Sequence, residues 1–413
     1  MTDKTSMRYK LSEFDAALNV HAFVIDVETK LISSETGSNI YNNPPDFIVA
    51  ARAFSNGSHC SPTIYSTESD FNPNSITEKR DPFVYVGHNI CFDLNYVSLQ
   101  LIDKPNFFIW DTALADYLLN SQRYKTPTLS ETHSRWCPLS SLSKSDPVGD
   151  SIRDGVCPSR IPIYHLIRYL TNDIKLTDEV FRKQLDASRK LGVRQHRTLL
   201  THMMYLKQNY LASVTGMNTS TAKADLTMCE LEKSLDNVRK GLEEEARLFF
   251  DYDLPLTFEW DFNKRSHLKT LFYGEPLKHV YKVQDGVYKT GKRAGQPKYK
   301  NETVELKPYQ PISIKEYDDD KIDEKRMVEI YDEIHSSLNV SLKKYKRLSF
   351  LEGLFMYRKL SKELSTYYGG YLNYTRHSSR TRGLETINPQ YNHTLTPTRR
   401  ISSSKPNLQN IKG

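Results

Sequence analysis

The stretch Phe23-Val24-Ile25-Asp26-Val27-Glu28-Thr29 decides how the first part of this 413-residue chain is interpreted. Its apolar residues form a short run that ends in polar ones, which is typical of a buried strand. Side chains alternate across a strand, so Asp26 and Glu28 are predicted on the same face. Two such carboxylates repel each other unless a cation lies between them, and oxygen-only ligand sets favour Mg²⁺ or Mn²⁺. An isolated pair of this kind is more often a solvated strand edge or a helix cap.

Two later segments carry further carboxylates in contexts that fit the first. In Val86-Gly87-His88-Asn89-Ile90-Cys91-Phe92-Asp93, a predicted strand leads into a helix with Asp93 in its first turns. In Tyr169-Leu170-Thr171-Asn172-Asp173, the surrounding apolar spacing predicts a helix, so Tyr169 and Asp173 share a face. Each segment alone is compatible with an exposed acid or a surface pair. The ordered set predicts a metal site for phosphodiester cleavage.

The three segments resemble the Exo I, Exo II and Exo III motifs of the DEDDy class of 3′–5′ exonucleases, which have an RNase H-like fold. Trp110-Asp111-Thr112-Ala113-Leu114-Ala115-Asp116-Tyr117-Leu118-Leu119-Asn120-Ser121 is similar to a segment of the proofreading domain of bacterial DNA polymerase I. The resemblance implies an α/β domain with a mixed sheet flanked by helices. Asp111 is predicted to be structural, because it lies between a strand and a helix at an N-cap position.

The resemblance implies a catalytic set that uses two Mg²⁺ or Mn²⁺ ions and consists of Asp26, Glu28, Asp93, Tyr169 and Asp173. The four acids would be the metal ligands, with Asp26 bridging both ions, and Tyr169 would orient the attacking water. Asn89 would contact the 3′-terminal nucleotide. Two ions roughly 3.5–4 Å apart would clamp the attacking and leaving oxygens of an in-line displacement, which releases nucleoside monophosphates.

Composition limits the class of protein without identifying it. The formal charge is +7, from 57 Lys and Arg against 50 Asp and Glu, which is compatible with nucleic acid as a partner. The 5 cysteines are scattered without a CxxC pair, so they predict neither a zinc pattern nor a disulfide framework. Residues 1–10 lack an apolar signal core, and no stretch approaches about 18 apolar residues. We therefore expect a cytoplasmic protein, in the host cytoplasm if it is encoded by a phage, that has no membrane partner.

The remaining patterns divide the chain into predicted domains. Residues 1–190 form the exonuclease domain, which includes a Ser- and Pro-rich stretch at 124–161 that is predicted to be an elaborated loop. Apolar spacing between Leu226 and Phe249 predicts a long amphipathic helix, and a second long helical region is predicted at 325–368. Residues 191–368 are therefore predicted to be a helical domain interrupted by a hairpin-like insertion.

The insertion between Lys278 and Lys300 is strongly basic. It contains seven Lys or Arg residues against one acid, Asp285, with tyrosines and glycines between them. A solvated loop is the usual explanation of such a run, but the sign bias and the aromatics favour contact with a phosphate backbone. The residues predicted to bind DNA here are Lys289, Lys292, Arg293 and Lys298.

Two further segments resemble the polymerase part of the same family. The stretch from Tyr357 to Tyr367 is similar to the YRxLxKxxSTY sequence at a thumb–palm junction, and residues 398–411 resemble the TGRLSSxxPNLQNI motif of family A DNA polymerases. The second match departs at Arg399, where the family has the Gly that tolerates positive φ. The resemblance implies a thumb at 191–368 and the start of a palm at 369–413. It also implies DNA contacts by Arg358, Lys362, Arg400, Asn407 and Gln409.

The resemblance as a whole is to the N-terminal portion of a family A replicative polymerase, most like those of bacteriophages. The family's palm acids and fingers helix are not found, and Asp318-Asp319-Asp320 is predicted to be a solvated acidic run. We therefore expect a proofreading exonuclease that binds single-stranded 3′ ends and primer-template DNA. A second polypeptide is expected to supply palm and fingers, through a split gene or a truncation, and to cover exposed apolar groups of residues 366–411. The alternatives are a non-catalytic DNA-clamping module and a stand-alone DEDD-type exonuclease that trims RNA or DNA.

Overall fold

A computed structural model describes much of the chain and divides it into two compact units, Met1–Ser220 with Asn373–Gly413, and Thr221–Leu372. The described residues are 4–30, 46–55, 61–67, 82–97, 107–142, 147–255, 258–287, 289, 295–315, 317, 322–337, 341–377, 385–394, 396 and 400–410.

Within these residues the first unit contains a five-stranded mixed sheet. Its strands are β1 (Ala22–Thr29), β2 (Phe47–Phe54), β3 (Thr63–Tyr65), β4 (Phe83–Gly87) and β5 (Phe107–Asp111). The strand order is β3-β2-β1-β4-β5. Strand β1 runs parallel to β4, and β4 parallel to β5, whereas β2 is antiparallel to β1 and β3. The strand that carries the first two predicted acids is therefore central and has a paired neighbour on each side.

Helices pack against this sheet and supply most of its core. They are α1 (Lys4–Val20), α2 (Cys91–Val97), α3 (Thr112–Leu119), α4 (Leu129–Trp136), α5 (Pro147–Arg153), α6 (Ile163–Lys190) and α7 (Val193–Thr215), followed by the short strand β6 (Met217–Thr219). The ring of Phe14 on α1 stacks on Phe108 at a centroid distance of 4.5 Å, and Trp110 meets Phe181 of α6 edge to face at 5.4 Å. The α/β architecture with a mixed sheet flanked by helices is confirmed.

The prediction of an elaborated loop at 124–161 was wrong for the residues that form α4 and α5. Helix α4 begins with a capping box, in which Thr128 Oγ1 accepts from the Glu131 backbone N–H at 3.3 Å and Glu131 Oε2 accepts from the Thr128 backbone N–H at 2.8 Å. Such a box provides acceptors for two backbone N–H groups that have no partner within the helix. These helices span only about two turns each, so an apolar period has no room to show and the cap is the stronger signal.

The second unit is largely helical. Its elements are α8 (Thr221–Arg247), α9 (Arg265–Tyr273), β7 (Leu277–Val287), β8 (Pro297–Leu306), α10 (Glu324–Ser336), α11 (Leu342–Lys362) and α12 (Gly370–Leu372), with a π-helical turn at Glu363–Gly369. The core contains the fully buried rings of Phe262, Phe272 and Phe350. The long helix near 226–249, the helical region at 325–368 and the hairpin-like insertion are confirmed by α8, by α10 and α11, and by the β7–β8 pair.

The last segment folds back into the first unit. It forms β9 (Thr375–His377), β10 (Glu385–Ile387), β11 (Gln390–Asn392) and β12 (Ser402–Ser404). Strand β10 pairs with β6 and β9, and Asn388 Nδ2 donates to the carbonyls of Ser213 at 2.8 Å and Val214 at 3.0 Å. Thr386 and Ile387 are buried.

The expectation of exposed apolar groups was therefore wrong for Ile387. The compact units also divide at residues other than the predicted boundaries, since α7 and the last segment belong to the first unit. The names exonuclease domain, thumb and palm for these regions stay predictions.

Among the described residues, no helix has both the length and the apolar character needed to cross a membrane.

Candidate active site

The first two predicted acids lie on the central strand of the sheet. Asp26 and Glu28 are both half-buried, whereas Val27 between them is buried, so the alternation predicted for this strand is present. Asp26 is paired with Ala51 and Glu28 with Val49 on the antiparallel neighbour β2. The backbone ladder fixes the spacing of the two carboxylates, because neither residue can rotate to the other face without breaking strand pairs.

Asp93 reaches the same strand from the start of α2. Its Oδ1 accepts a hydrogen bond from the Val27 backbone N–H at 2.9 Å, which ties the helix to the strand between the two acids. The side chain is only 3% exposed. Burial, together with the negative charges of Asp26 and Glu28, raises the pKa of Asp93 well above its ordinary value, despite the opposing hydrogen bond from Val27. The cluster therefore resists full ionisation unless a cation offsets it.

Helix α6 supplies the last two predicted residues. Tyr169 and Asp173 are four positions apart, buried, and joined by a side-chain hydrogen bond. Burial, followed by the charges of Asp173, Glu28 and Asp26, raises the pKa of Tyr169 far above its ordinary value. The phenol thus keeps its proton at neutral pH and acts as a donor. The three sequence segments converge on β1, because the charges of Asp26 and Glu28 act both on Asp93 of α2 and on Tyr169 of α6.

Helix α5 forms a wall of this site that the sequence did not indicate. A Cβ atom added to Gly149 would lie 3.1 Å from Tyr169 Cε2 and 3.7 Å from the phenol oxygen. The tyrosine ring therefore rests directly on the glycine backbone. A glycine inside a Ser- and Pro-rich stretch gives no sequence signal for such a contact, because it looks like any turn glycine.

Asp111 organises the turn that leads into α2. Its Oδ1 accepts from the backbone N–H groups of Ala113 at 2.8 Å and Leu114 at 3.0 Å, which confirms the predicted N-cap of α3. The same carboxylate accepts from the backbone of Asn89 at 3.3 Å and Ile90 at 3.0 Å. Asn89 has φ 59°, a left-handed conformation that asparagine tolerates better than most residues. Asp111 thus couples α3 to the turn that positions Asp93.

The residues present fit a hard divalent cation. The donor set is made of carboxylate oxygens from β1, α2 and α6, with a phenol beside them and no thiolate or imidazole among the five predicted residues. Such a set suits Mg²⁺ or Mn²⁺. The raised pKa of Asp93 reflects the like charges that a bound cation would neutralise.

The predicted DNA-binding residues are divided between the two units. In the first unit Asn89 is exposed, four positions before Asp93, and it lines a cavity of about 150 Å³ together with Phe92, Tyr210 and His393. None of the predicted acids lines this cavity or a larger one of about 420 Å³, which is formed mainly by residues of α3 and α7. The other exposed residues predicted to bind DNA are Lys289, Lys298, Lys362, Arg400, Asn407 and Gln409, whereas Arg358 is half-buried.

One of the predicted contacts is already engaged within the chain, and two others lie outside the described residues. Gln409 Nε2 donates to the Ile401 carbonyl at 2.8 Å, so its amide is held within the last segment. Lys292 and Arg293 lie outside the described residues. On the hairpin, Lys282 lies opposite Asn301, and Gln284 opposite the exposed ring of Tyr299.

Comparisons with known proteins show what the fold resembles. No protein family model and no curated protein sequence matches the chain. Its fold is similar to that of the POL domain of Pol1 from M. smegmatis, which was solved in complex with DNA primer-template and dNTP. The TM-score is 0.56 and the sequence identity 14%, over 99% of this chain and 55% of that chain. The chain therefore spans about half the length of the structure it resembles, and the likeness shows a shared fold.

Proposed function

We propose that the chain is the 3′–5′ exonuclease and DNA-binding portion of a family A DNA polymerase, active in proofreading during DNA replication. One observation carries the proposal. Segments that are far apart in the sequence bring Asp93 within electrostatic reach of Asp26 and Glu28, and bring the same two acids within reach of Tyr169, which is hydrogen-bonded to Asp173. The five-stranded mixed sheet flanked by helices supports an RNase H-like domain around them.

Each residue has a distinct task in this proposal. Asp26, Glu28 and Asp173 would hold one divalent ion, and Asp26 with Asp93 a second. Mg²⁺ or Mn²⁺, when bound, would activate the attacking water and stabilise the leaving 3′ oxygen. Tyr169 keeps its proton at the phenol oxygen and donates a hydrogen bond to Asp173, so it orients groups rather than removing a proton. Asn89, which is exposed in the turn that leads into α2 and Asp93, would contact the 3′-terminal nucleotide.

The fold likeness supports the polymerase part of the proposal. The POL domain with a similar fold was solved with a DNA primer-template, which suggests that this chain would also bind duplex DNA. When the 3′ end of that duplex is unpaired, it could enter the acid cluster. A second polypeptide with palm and fingers stays a prediction from the sequence.

The two alternatives predict different results. A DNA-clamping module would bind DNA without hydrolysing it, and it would have no need of four acids gathered beside a buried tyrosine. A stand-alone trimming exonuclease would have no need of the exposed hairpin. Incubation of a 5′-labelled single strand with the protein, with and without Mg²⁺, tests the proposal. A ladder shortened from the 3′ end, only with the metal, is expected; intact DNA favours the clamp, and preference for RNA favours the trimming enzyme.

Replacement of Tyr169 by Phe should slow hydrolysis by about ten- to hundredfold, less than loss of the acids. The change removes the hydrogen bond to Asp173 but leaves every carboxylate in place. Single-turnover rates on a single-stranded substrate measure the effect. A rate equal to that of the unmodified protein would show that Tyr169 has no role in hydrolysis.

Gly149→Ala tests the role of Tyr169 in a second way. An alanine favours the helix by about 1 kcal/mol relative to glycine, but its Cβ would lie 3.1 Å from Tyr169 Cε2 and displace the ring. Melting temperature should therefore change little while hydrolysis falls. Gly241→Ala is the matched control, because its added Cβ meets nothing within 4 Å on α8.

Neutralisation of the exposed hairpin lysines should weaken binding to duplex DNA without regard to sequence. The variant replaces Lys282, Lys289 and Lys298 by Gln, and the slope of log affinity against log salt should fall by about one unit for each phosphate that a lysine no longer neutralises. Fluorescence anisotropy at several salt concentrations measures both quantities. Lys325→Gln, an exposed lysine on α10, is the control for a change of charge alone. If the slope of log affinity against log salt is unchanged in the triple variant, the hairpin does not contact phosphates and is an ordinary solvated hairpin.

A further inference from the structure

Three metal-ligating side chains converge where the end of α4 packs on α6, and the proposed exonuclease does not use them. His133 and Cys137 are buried, and Glu179 is partly buried. One ligand atom of each lies within 4.8 Å of those of the other two, and His133 Nε2 is 2.9 Å from Glu179 Oε2. On α6, Glu179 follows Asp173 by six positions, which is about 9 Å along the axis. The group is therefore a site of its own.

Local structure explains why these side chains meet. The capping box at Thr128 fixes the start of α4. His133 and Cys137 are four apart, so they share a face, and the Cys137 backbone N–H donates to the His133 carbonyl at 2.8 Å. Ser140 Oγ, just after the helix, donates to Glu179 Oε2 at 2.7 Å and holds that carboxylate towards α4. An outer hydrogen bond of this kind commonly orients a metal ligand.

We propose that His133, Cys137 and Glu179 bind a zinc ion, with water as the fourth ligand, and that this ion fastens α4 to α6. Tetrahedral zinc with ligand bonds of 2.0–2.3 Å separates its donors by about 3.3–3.6 Å. The three donor atoms lie at most 4.8 Å apart, and one pair is 2.9 Å apart. Small side-chain rotations would therefore bring them to the separations that zinc requires. The side chain of Glu179 is 31% exposed, which leaves one side of the group open to water.

The donor chemistry selects zinc over the ions of the acid cluster. A thiolate and an imidazole are ligands that zinc favours and that Mg²⁺ does not. An alternative is a plain ion pair between His133 and Glu179 beside an inert thiol. Burial and the charge of Glu179 raise the pKa of Cys137 to about 12, while nearby Lys183 opposes the shift, so without metal the thiol is neutral. Zinc binding would release that proton to solvent.

Cobalt(II) distinguishes the two cases, because only a bound thiolate gives a sulfur-to-cobalt charge-transfer band. The protein is prepared without a histidine tag, in an Asp26→Ala/Glu28→Ala background that removes competing carboxylates, and is stripped with a chelator. Cobalt(II) is then titrated and displaced with zinc, and bound zinc is measured by elemental analysis. The same titration is run on Cys137→Ser, Glu179→Gln and, as the control, Cys229→Ser, whose thiol is exposed on α8.

We expect the charge-transfer band, its loss on addition of zinc, and about one zinc ion per chain in the starting protein and the Cys229 variant. Cys137→Ser should lose the band, and Glu179→Gln should bind cobalt at least tenfold more weakly. Zinc should raise the melting temperature of the starting protein and not that of Cys137→Ser. A titration without the band, or a band unchanged in Cys137→Ser, overturns the proposal. If the Cys137 variant does not fold, unchanged cobalt affinity in Glu179→Gln overturns it.

Discussion

Replacement of Asp26 and Glu28 by alanine is expected to reduce hydrolysis of single-stranded DNA by about a thousandfold or more. The two carboxylates lie on one face of β1, where both proposed ions need them. Loss of both removes several kcal/mol of charge stabilisation, and each 1.36 kcal/mol is about tenfold in rate. The measurement is the single-turnover rate on a 5′-labelled strand in saturating Mg²⁺. Asp225→Ala/Glu230→Ala, which removes two exposed acids of α8, is the matched control and should keep full activity.

The same double variant should stay folded. Asp26 and Glu28 contribute to the raised pKa of Asp93, so their removal relieves repulsion rather than breaking a stabilising pair. A raised folded-state pKa gives stability that is present below the unfolded-state pKa and is lost as pH rises through the folded-state value. Metal-free protein should therefore lose stability as pH rises through the raised pKa of Asp93, and the variant should lose less.

Divalent metal provides the complementary readout. Mg²⁺ or Mn²⁺ should raise the melting temperature of the unmodified protein and have little effect on the double variant. A variant that is pure, folded and still hydrolyses DNA at the original rate contradicts the assignment of the active site. A loss of hydrolysis without any change in the metal response would instead place the two acids outside the metal site.

The sequence could predict which of the proposed site residues share a face, because that information is local. Asp26 and Glu28 follow from strand alternation, and Tyr169 and Asp173 from helical spacing, so short segments suffice to place each pair. The N-cap role of Asp111 was predictable for the same reason, and the structure confirms it.

The features that the sequence did not reveal depend on contacts between distant segments. Gly149 touches Tyr169 only because α5 packs on α6, and His133 meets Glu179 across 46 residues. The capping box at Thr128 was a readable signal for α4, but nothing local pairs that helix with α6. The packing of Ile387 into the first unit likewise depends on pairing between β10 and β6, which are far apart in the chain.

Replacement of Asp111 by alanine is the change expected to cost the most stability. Four backbone N–H groups, those of Asn89, Ile90, Ala113 and Leu114, donate to this one carboxylate, which is 4% exposed. Loss of an N-cap costs about 1 kcal/mol, and each buried donor left without an acceptor about 1–3 kcal/mol. We expect a loss of about 3–4 kcal/mol in the free energy of unfolding, measured by urea denaturation. Asp323→Ala, which removes the exposed N-cap of α10, should cost only about 1 kcal/mol.

Activity should fall together with this stability, even at temperatures where the variant is folded. Asp111 holds the turn at Asn89, and that turn sets the start of α2 and hence the position of Asp93 against Val27. A displacement of about 1 Å at a ligand can cost on the order of a hundredfold in rate. Asp111→Asn separates the two effects, because its single carbonyl can still accept at the α3 cap while its amide cannot accept from Ile90. We expect this variant to recover most of the stability and less of the activity. If hydrolysis instead tracks the folded fraction alone in both variants, Asp111 stabilises the fold without positioning Asp93.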